Sequence, residues 1–325
     1  MSFRSIFGAK RSPATSLTGA GQPSPTAISA HALRQLNRLC LNTRLQLGDP
    51  AGTRSSHRRK PAGEFREHRQ YTPGDDVRYV DWKASARQEH IFIKQGEQQN
   101  AAVVYLLLDC SASMAWGSPP KTNAALSLAH ALGYMALAHN DRLVIMPVNG
   151  STTMGRPLDS LHPLGPLWGK GQAPVLSKYF QAVKFQGQVD MAQTLAGLGR
   201  RKISRGGLVL VISDLLGVQN LSAGLEALPA PLWNVVFLHL LHPQELSPEL
   251  NGYFEMQDSE TGEKKLYPVT PRVLKTYRQR LDAWRNEISQ TCLERKAVYT
   301  MIPTHWSLEN EILPQLRRDQ VVKRL

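Results

Sequence analysis

Five oxygen-bearing side chains stand where apolar runs stop. Val103–Leu108 ends in Asp109-Cys110-Ser111-Ala112-Ser113, a carboxylate followed by two hydroxyls at alternate positions. Farther along, Gly207–Ile212 ends in Ser213-Asp214, again a hydroxyl and a carboxylate. Such oxygens suit a hard cation, and Mg²⁺ in particular takes near-octahedral oxygens while keeping several waters. The chemistry to expect is a metal cradle of Asp109, Ser111, Ser113 and Asp214 with positions left open to a partner. The hydroxyls have a second use, satisfying loop amides without any metal. Lacking an ion, Asp109 and Asp214 would face each other unscreened, and one would have to take a proton. No P-loop and no nucleophile spaced beside its base accompanies these residues, so the expected role is non-enzymatic.

A second polar constellation lies upstream. Around Pro73-Gly74, a pair suited to the centre of a type II turn, charges of both signs alternate with aromatics. Arg69, Asp75, Asp76, Arg78, Asp81, Trp82 and Arg87 read either as an ion-pair lattice fixing a loop or as a partner-binding surface.

The elements that must position these groups follow from periodicity. Continuous apolar runs suit strands buried on both faces of a helix-covered parallel sheet, whose ligands gather at the carboxyl ends of the strands. Strands are expected at Ile91–Lys94, Val103–Leu108, Arg142–Val148, Gly207–Ser213, Val235–Leu241 and Ala297–Ile302. Helices are expected from Ser118-Pro119 to Ala138, over Val175–Val183, Ala192–Ile203, Leu221–Leu228 and Leu308–Leu316, and onward from Thr270-Pro271. In that helix Leu274, Tyr277, Leu281, Trp284 and Ile288 recur at spacings of 3, 4, 3 and 4. Near the start of the chain, Leu33, Leu36, Cys40 and Leu47 share one face of a helix running from Thr26 to Gly48-Asp49-Pro50. Gly252–Val269 reads as a hairpin, and His130 and His139 as surface residues of their helix. Alternating strands and helices define an α/β fold with a doubly wound, mostly parallel sheet and helices on both faces.

The 325 residues, 42% of them hydrophobic, suffice for one large core with appendages. The expected division is a disordered tail over 1–25, an N-terminal helix and polar segment packed on the main domain over 26–98, the α/β domain over 99–304, and a C-terminal helix and tail over 305–325. No apolar run is long enough to span a bilayer, and the start lacks a secretory core, so the expected compartment is the cytoplasm. Cys40, Cys110 and Cys292 show neither disulfide nor zinc spacing. The net charge of +13 is carried by the ends: about +8 over 1–100, −2 over 101–263 and +7 beyond. This leaves a nucleic-acid-binding reading as the alternative and contact with an anionic membrane surface open, because long-range attraction does not identify the partner.

A strand ending in Asp109-x-Ser111-x-Ser113, with Asp214 ending a later strand, resembles the metal-ion-dependent adhesion site of von Willebrand factor A domains. The likeness is closer to one bacterial branch, the domain of unknown function 58 family. Its signature is similar to Gly63-Glu64-Phe65, Arg69–Tyr71, Pro73–Asp76, Arg78, Asp81-Trp82 and Ala86-Arg87, and later to Ile212–Asp214, His239–Glu245 and Asp258–Glu263. The resemblance implies a von Willebrand factor A-like fold with a small N-terminal extension. It also implies an Mg²⁺ site and, as partners, a MoxR-type AAA+ ATPase and a client protein whose folding, assembly or activation is served. Two departures stand out. Val189 occupies the position of a metal-facing threonine, which leaves the ion held more weakly, held through water or Asp190, or absent, and His242 stands where an aspartate is usual.

Overall fold

The computed structural model describes residues 29–43, 64–71, 80–86, 90–97, 102–149, 163–200, 206–250, 252–257 and 264–325. The tail expected over 1–25 lies outside them. The chain divides into two compact units, one of residues 48–101 and one of the remainder.

The larger unit opens with α1 (Ala30–Leu36), whose Ala32 N–H is capped by the Ser29 hydroxyl. The helix expected through Leu47 stops at Leu36. Leu39–Leu41 instead forms a strand, β1, antiparallel to Val322–Arg324 near the chain end. Leu39 and Leu41 are both buried with Cys40 between them, so the period here is two, and tertiary pairing overrides the helical spacing.

In the smaller unit, β2 (Glu64–Gln70) and β3 (Phe92–Glu97) pair antiparallel, with Arg69 opposite Ile93 and Gln70 opposite Phe92. Between them lies the short helix α2 (Trp82–Ser85). The Asp81 carboxylate caps it, accepting from the Lys83 and Ala84 N–H groups at 3.1 Å. The Ser85 hydroxyl accepts the Phe92 N–H at 2.9 Å and so ties α2 to the hairpin.

The larger unit continues with β4 (Val103–Asp109), α3 (Lys121–Ala138), β5 (Arg142–Val148), β6 (Leu164–Leu167), α4 (Ala173–Gln181), α5 (Met191–Gly199), β7 (Gly207–Ser213), α6 (Leu221–Glu226) and β8 (Trp233–Leu241). It ends with α7 (Pro243–Leu246), β9 (Gly252–Gln257), β10 (Lys264–Val269), α8 (Pro271–Glu294), β11 (Val298–Pro303), α9 (Leu313–Arg318) and β12 (Val322–Arg324). Six strands form the central sheet in the order β11-β8-β7-β4-β5-β6, all parallel except β6. The expected doubly wound, mostly parallel sheet is thus the one observed. The short edge strand β6 escaped the sequence pattern because Leu-Gly-Pro-Leu offers no apolar run. An edge position tolerates its proline, since no second neighbour needs the missing N–H.

Side chains of the central strands alternate between two cores. Val104, Leu106, Leu108, Leu208, Leu210 and Ile212 pack on one side with α3, α4 and α9. Tyr105, Leu107, Val209 and Val211 pack on the other with α5, α6 and α8. A layer on each side explains why these strands are apolar at every position rather than at every second one.

Two further expectations are corrected. α3 begins at Lys121 and not at Pro119; a Gly117–Pro120 bridge closes a turn ahead of it, and the Lys121 N–H bonds the Trp116 carbonyl at 3.0 Å. His130 is buried at 6% exposure, because α4 covers that face of α3, with Ser177 Oγ 2.8 Å from His130 Nε2. No helix among the described residues is long and apolar enough to cross a membrane.

Candidate functional site

β4 and β7 are neighbours, and their register pairs Leu108 with Ile212, so Asp109 ends level with Ser213. The consequence is direct: Ser213 Oγ donates to Asp109 Oδ2 at 2.5 Å. Beyond β4 the chain folds back in a tight turn. The Ser111 N–H donates to Asp109 Oδ1 at 2.9 Å, and the Ser111 and Ser113 hydroxyls lie 2.9 Å apart. Ser113 also bonds the Asp214 carboxylate, so Asp109, Ser111, Ser113 and Asp214 are brought together as the sequence suggested. All four are buried, none more than 4% exposed.

Three contributors lie outside the expected metal-ligand set. Lys121, the first residue of α3, is fully buried, and its Nζ donates to Asp214 Oδ2 at 2.6 Å and to Glu245 Oε1 at 2.7 Å. The Trp116 ring centroid lies 6.0 Å from the same ammonium. Glu245 arrives from α7, which directly follows β8, and the Tyr277 hydroxyl of α8 donates to its backbone carbonyl at 2.7 Å. Ser213 completes the set. A capping box holds α7: Glu245 Oε2 accepts the His242 N–H at 2.6 Å, and His242 Nδ1 accepts the Gln244 N–H at 3.2 Å. His242 therefore does as an N-cap what an aspartate would do. It packs edge-on against Trp116 at 5.2 Å.

The electrostatics follow from burial and neighbours. Burial, and after it the charge of Asp214, push Asp109 up to about 6, against the bonds from Ser213 and Ser111. For Asp214 burial works in the same sense, but the Lys121 charge and hydrogen bond outweigh it and hold the carboxyl below its ordinary range. Lys121 is driven down by burial and up by Asp214 and Glu245, and the carboxylates win, so it stays protonated. Burial and the Lys121 charge hold His242 below the usual imidazole value, which keeps Nδ1 free to accept.

The donor set, as arranged, does not fit a divalent ion. Each of the six carboxylate oxygens of Asp109, Asp214 and Glu245 already accepts a hydrogen bond, and one of the donors is itself a cation. Val189 is buried in the apolar core beside β4 and offers no oxygen. Asp190 lies outside the network; its carboxylate caps α5 through the Gln193 N–H at 2.9 Å and is exposed. Among the described residues, no group of three or more His, Cys, Asp or Glu side chains is placed to hold a metal.

Of the second constellation, Arg69 lies in β2, Asp81 caps α2 and Trp82 is 67% exposed at the start of that helix. Asp75, Asp76, Arg78 and Arg87 lie outside the described residues. Among the described residues, Ser177 and His130 pair through their side chains, but the Ser177 hydroxyl also back-bonds to the Ala173 carbonyl at 3.2 Å, as hydroxyls inside helices do. It ties α4 to α3.

Similarity to known proteins extends over most of the chain. Uncharacterised proteins of Mycobacterium tuberculosis and Mycobacterium bovis are 26% identical over 247 residues, 71% of this chain and 71% of theirs. An aerotolerance-related membrane protein of Bacteroides fragilis aligns in structure with a TM-score of 0.38 and 13% identity, over 67% of this chain and 99% of that one. A von Willebrand factor type A protein from Catenulispora acidiphila aligns with a TM-score of 0.34 and 10% identity, over 71% of this chain and 42% of that one. Residues 67–287, well over half of the chain, match the profile of the family described as protein of unknown function DUF58, and to that family the chain belongs.

Proposed function

We propose that this protein is a non-enzymatic interaction scaffold of the cytoplasm, acting beside a MoxR-type AAA+ ATPase in the assembly, folding or activation of client proteins. The observation that carries the reading is the state of the strand ends. Every carboxylate oxygen of Asp109, Asp214 and Glu245 holds a hydrogen bond inside the chain, and one ammonium bridges two of the three groups, an arrangement that suits a structural network more than an acid, a base or a nucleophile. What such a network does well is fix loops. It locks the turn after β4, the start of α3 and the start of α7 into one rigid edge, a surface prepared for recognition. Family membership supports the partner, since the resemblance on Asp109–Ser113 and Gly63–Arg87 implies an ATPase of that kind.

A pull-down from native extract with the full chain tests this. Recovery of an AAA+ ATPase, lost on Gly117→Ala or another change that distorts this edge, is the expected result. Absence of any ATPase from the bound fraction, under conditions where the chain stays folded, sinks the reading.

A further inference from the structure

We infer that Lys121 supplies from within the chain the positive charge that a divalent ion supplies in sites of this layout, so that the site works without metal and excludes one. The inference concerns the same strand ends but does not depend on the partner proposed for them.

The geometry carries it. Asp109 and Asp214 end adjacent parallel strands, and Glu245 follows the next strand of the sheet. Three carboxylates converging inside a protein need compensation, because an unpaired buried charge is far costlier than an exposed one. An oxygen-ligated cation is one answer, and a buried ammonium is another. Here the Lys121 ammonium sits 2.6 Å from Asp214 and 2.7 Å from Glu245, with no exposure to solvent. It thus makes charge-assisted bonds to both. A lysine in the first turn of a helix opposes the helix dipole, so its place there has to be justified by such partners.

Val189 fits the same account. Where the ammonium supplies the charge, the chain has no use for a hydroxyl at that position, and the side chain joins the apolar core with Met191 and Leu195. A divalent ion at Asp214 would meet the Lys121 ammonium 2.6 Å from the same carboxylate, and displacing that ammonium would leave it buried without this partner.

The test uses the purified full chain, stripped with chelator. Wild type is titrated with Mg²⁺ and Mn²⁺ by calorimetry, and its Tm is measured in chelator and in millimolar Mg²⁺. No saturable heat and coincident melting curves are expected. Val189→Thr restores the missing hydroxyl but should remain equally blind to both ions while Lys121 is present. Combining it with Lys121→Ala should convert the site, so that millimolar Mg²⁺ raises Tm, since a ligand that binds only the folded state stabilises it. Saturable Mn²⁺ binding to wild type or to Val189→Thr, abolished by Asp214→Asn, overturns the inference. So does a folded double variant whose Tm ignores Mg²⁺. Should the double variant fail to fold, the wild-type and Val189→Thr titrations decide alone.

Discussion

Replacing Lys121 by methionine keeps much of the side-chain volume and removes the ammonium. The variant leaves Asp214 and Glu245 buried at 1% exposure each, facing each other without a cation. Two charge-assisted bonds are lost, at 2.6 and 2.7 Å. Bonds to charged groups are worth about 1.5–3 kcal/mol each, and breaking one side of a buried ion pair costs about 3–5 kcal/mol. The two estimates meet at roughly 4 kcal/mol, a large share of the ~5–15 kcal/mol that holds a typical domain together. Guanidinium unfolding followed by far-ultraviolet circular dichroism at pH 7.5 should show a loss of that size. The pH dependence gives a second reading. In wild type the depressed Asp214 contributes stability above its ordinary carboxyl value and loses it as pH falls. In the variant both carboxyls rise, so the folded state holds protons that the unfolded state releases, and stability falls as pH rises from about 4 to 7. The deficit should therefore shrink at pH 4.5. A loss below about 1 kcal/mol at pH 7.5, or one of equal size at both pH values, would refute the view that Lys121 compensates buried charge.

Asp109 is expected to show the opposite sense from Asp214. Its folded value of about 6 lies above the ordinary 3.8, so wild type should lose about 2 kcal/mol of stability from this group as pH climbs from 4 to 7. Asp109→Asn should flatten that slope in urea titrations, and an unchanged slope would place the titration elsewhere. Gly117 has φ +105°, and a Cβ there would lie 2.7 Å from the His242 ring, so Gly117→Ala should lower stability by about 1–3 kcal/mol and disturb the Trp116–His242 contact, visible as a change in tryptophan fluorescence. Tyr277→Phe removes a buried bond to the Glu245 carbonyl and should cost about 1 kcal/mol by the same unfolding assay. Phe237→Ala, in the middle of the sheet at 0% exposure, should cost about 3–5 kcal/mol and serves as the scale for the others.

The sheet was legible because its signal is local. Val103–Leu108 and Gly207–Ile212 are apolar at every position, and the two cores, one on each face, are the reason. Asp109 and Asp214 were legible for the same cause, since each interrupts such a run. What pairs at long range was not. β1 and β12 are three-residue strands from opposite ends of the chain, and no short window contains both. Lys121 bonds partners 93 and 124 residues away and opens a helix, where a lone lysine reads as a solvated charge. Its one sequence clue was its position, since first turns favour acidic residues. Glu245 three residues after His242 does carry the spacing of a capping box, but nothing local shows that its second oxygen reaches a lysine.

The departures from the pattern that the resemblance implies become one design when charge is counted. An aspartate at position 242 could cap α7 as well as histidine does, but it would add an anion beside Asp214 and Glu245. The neutral imidazole accepts the same N–H and leaves one ammonium facing two carboxylates. Asp109 takes no share of that ammonium; Ser213 and Ser111 bond to it instead, and burial raises its carboxyl to about 6. A site that relied on a divalent ion would be better served by the opposite choices: more anionic oxygens, a hydroxyl in place of Val189 and no lysine within reach. His242, Val189 and Lys121 each move the balance the same way, toward a strand edge whose charge is settled inside the chain. Restoring one of them alone should therefore do little for ion binding, and restoring them together should do much.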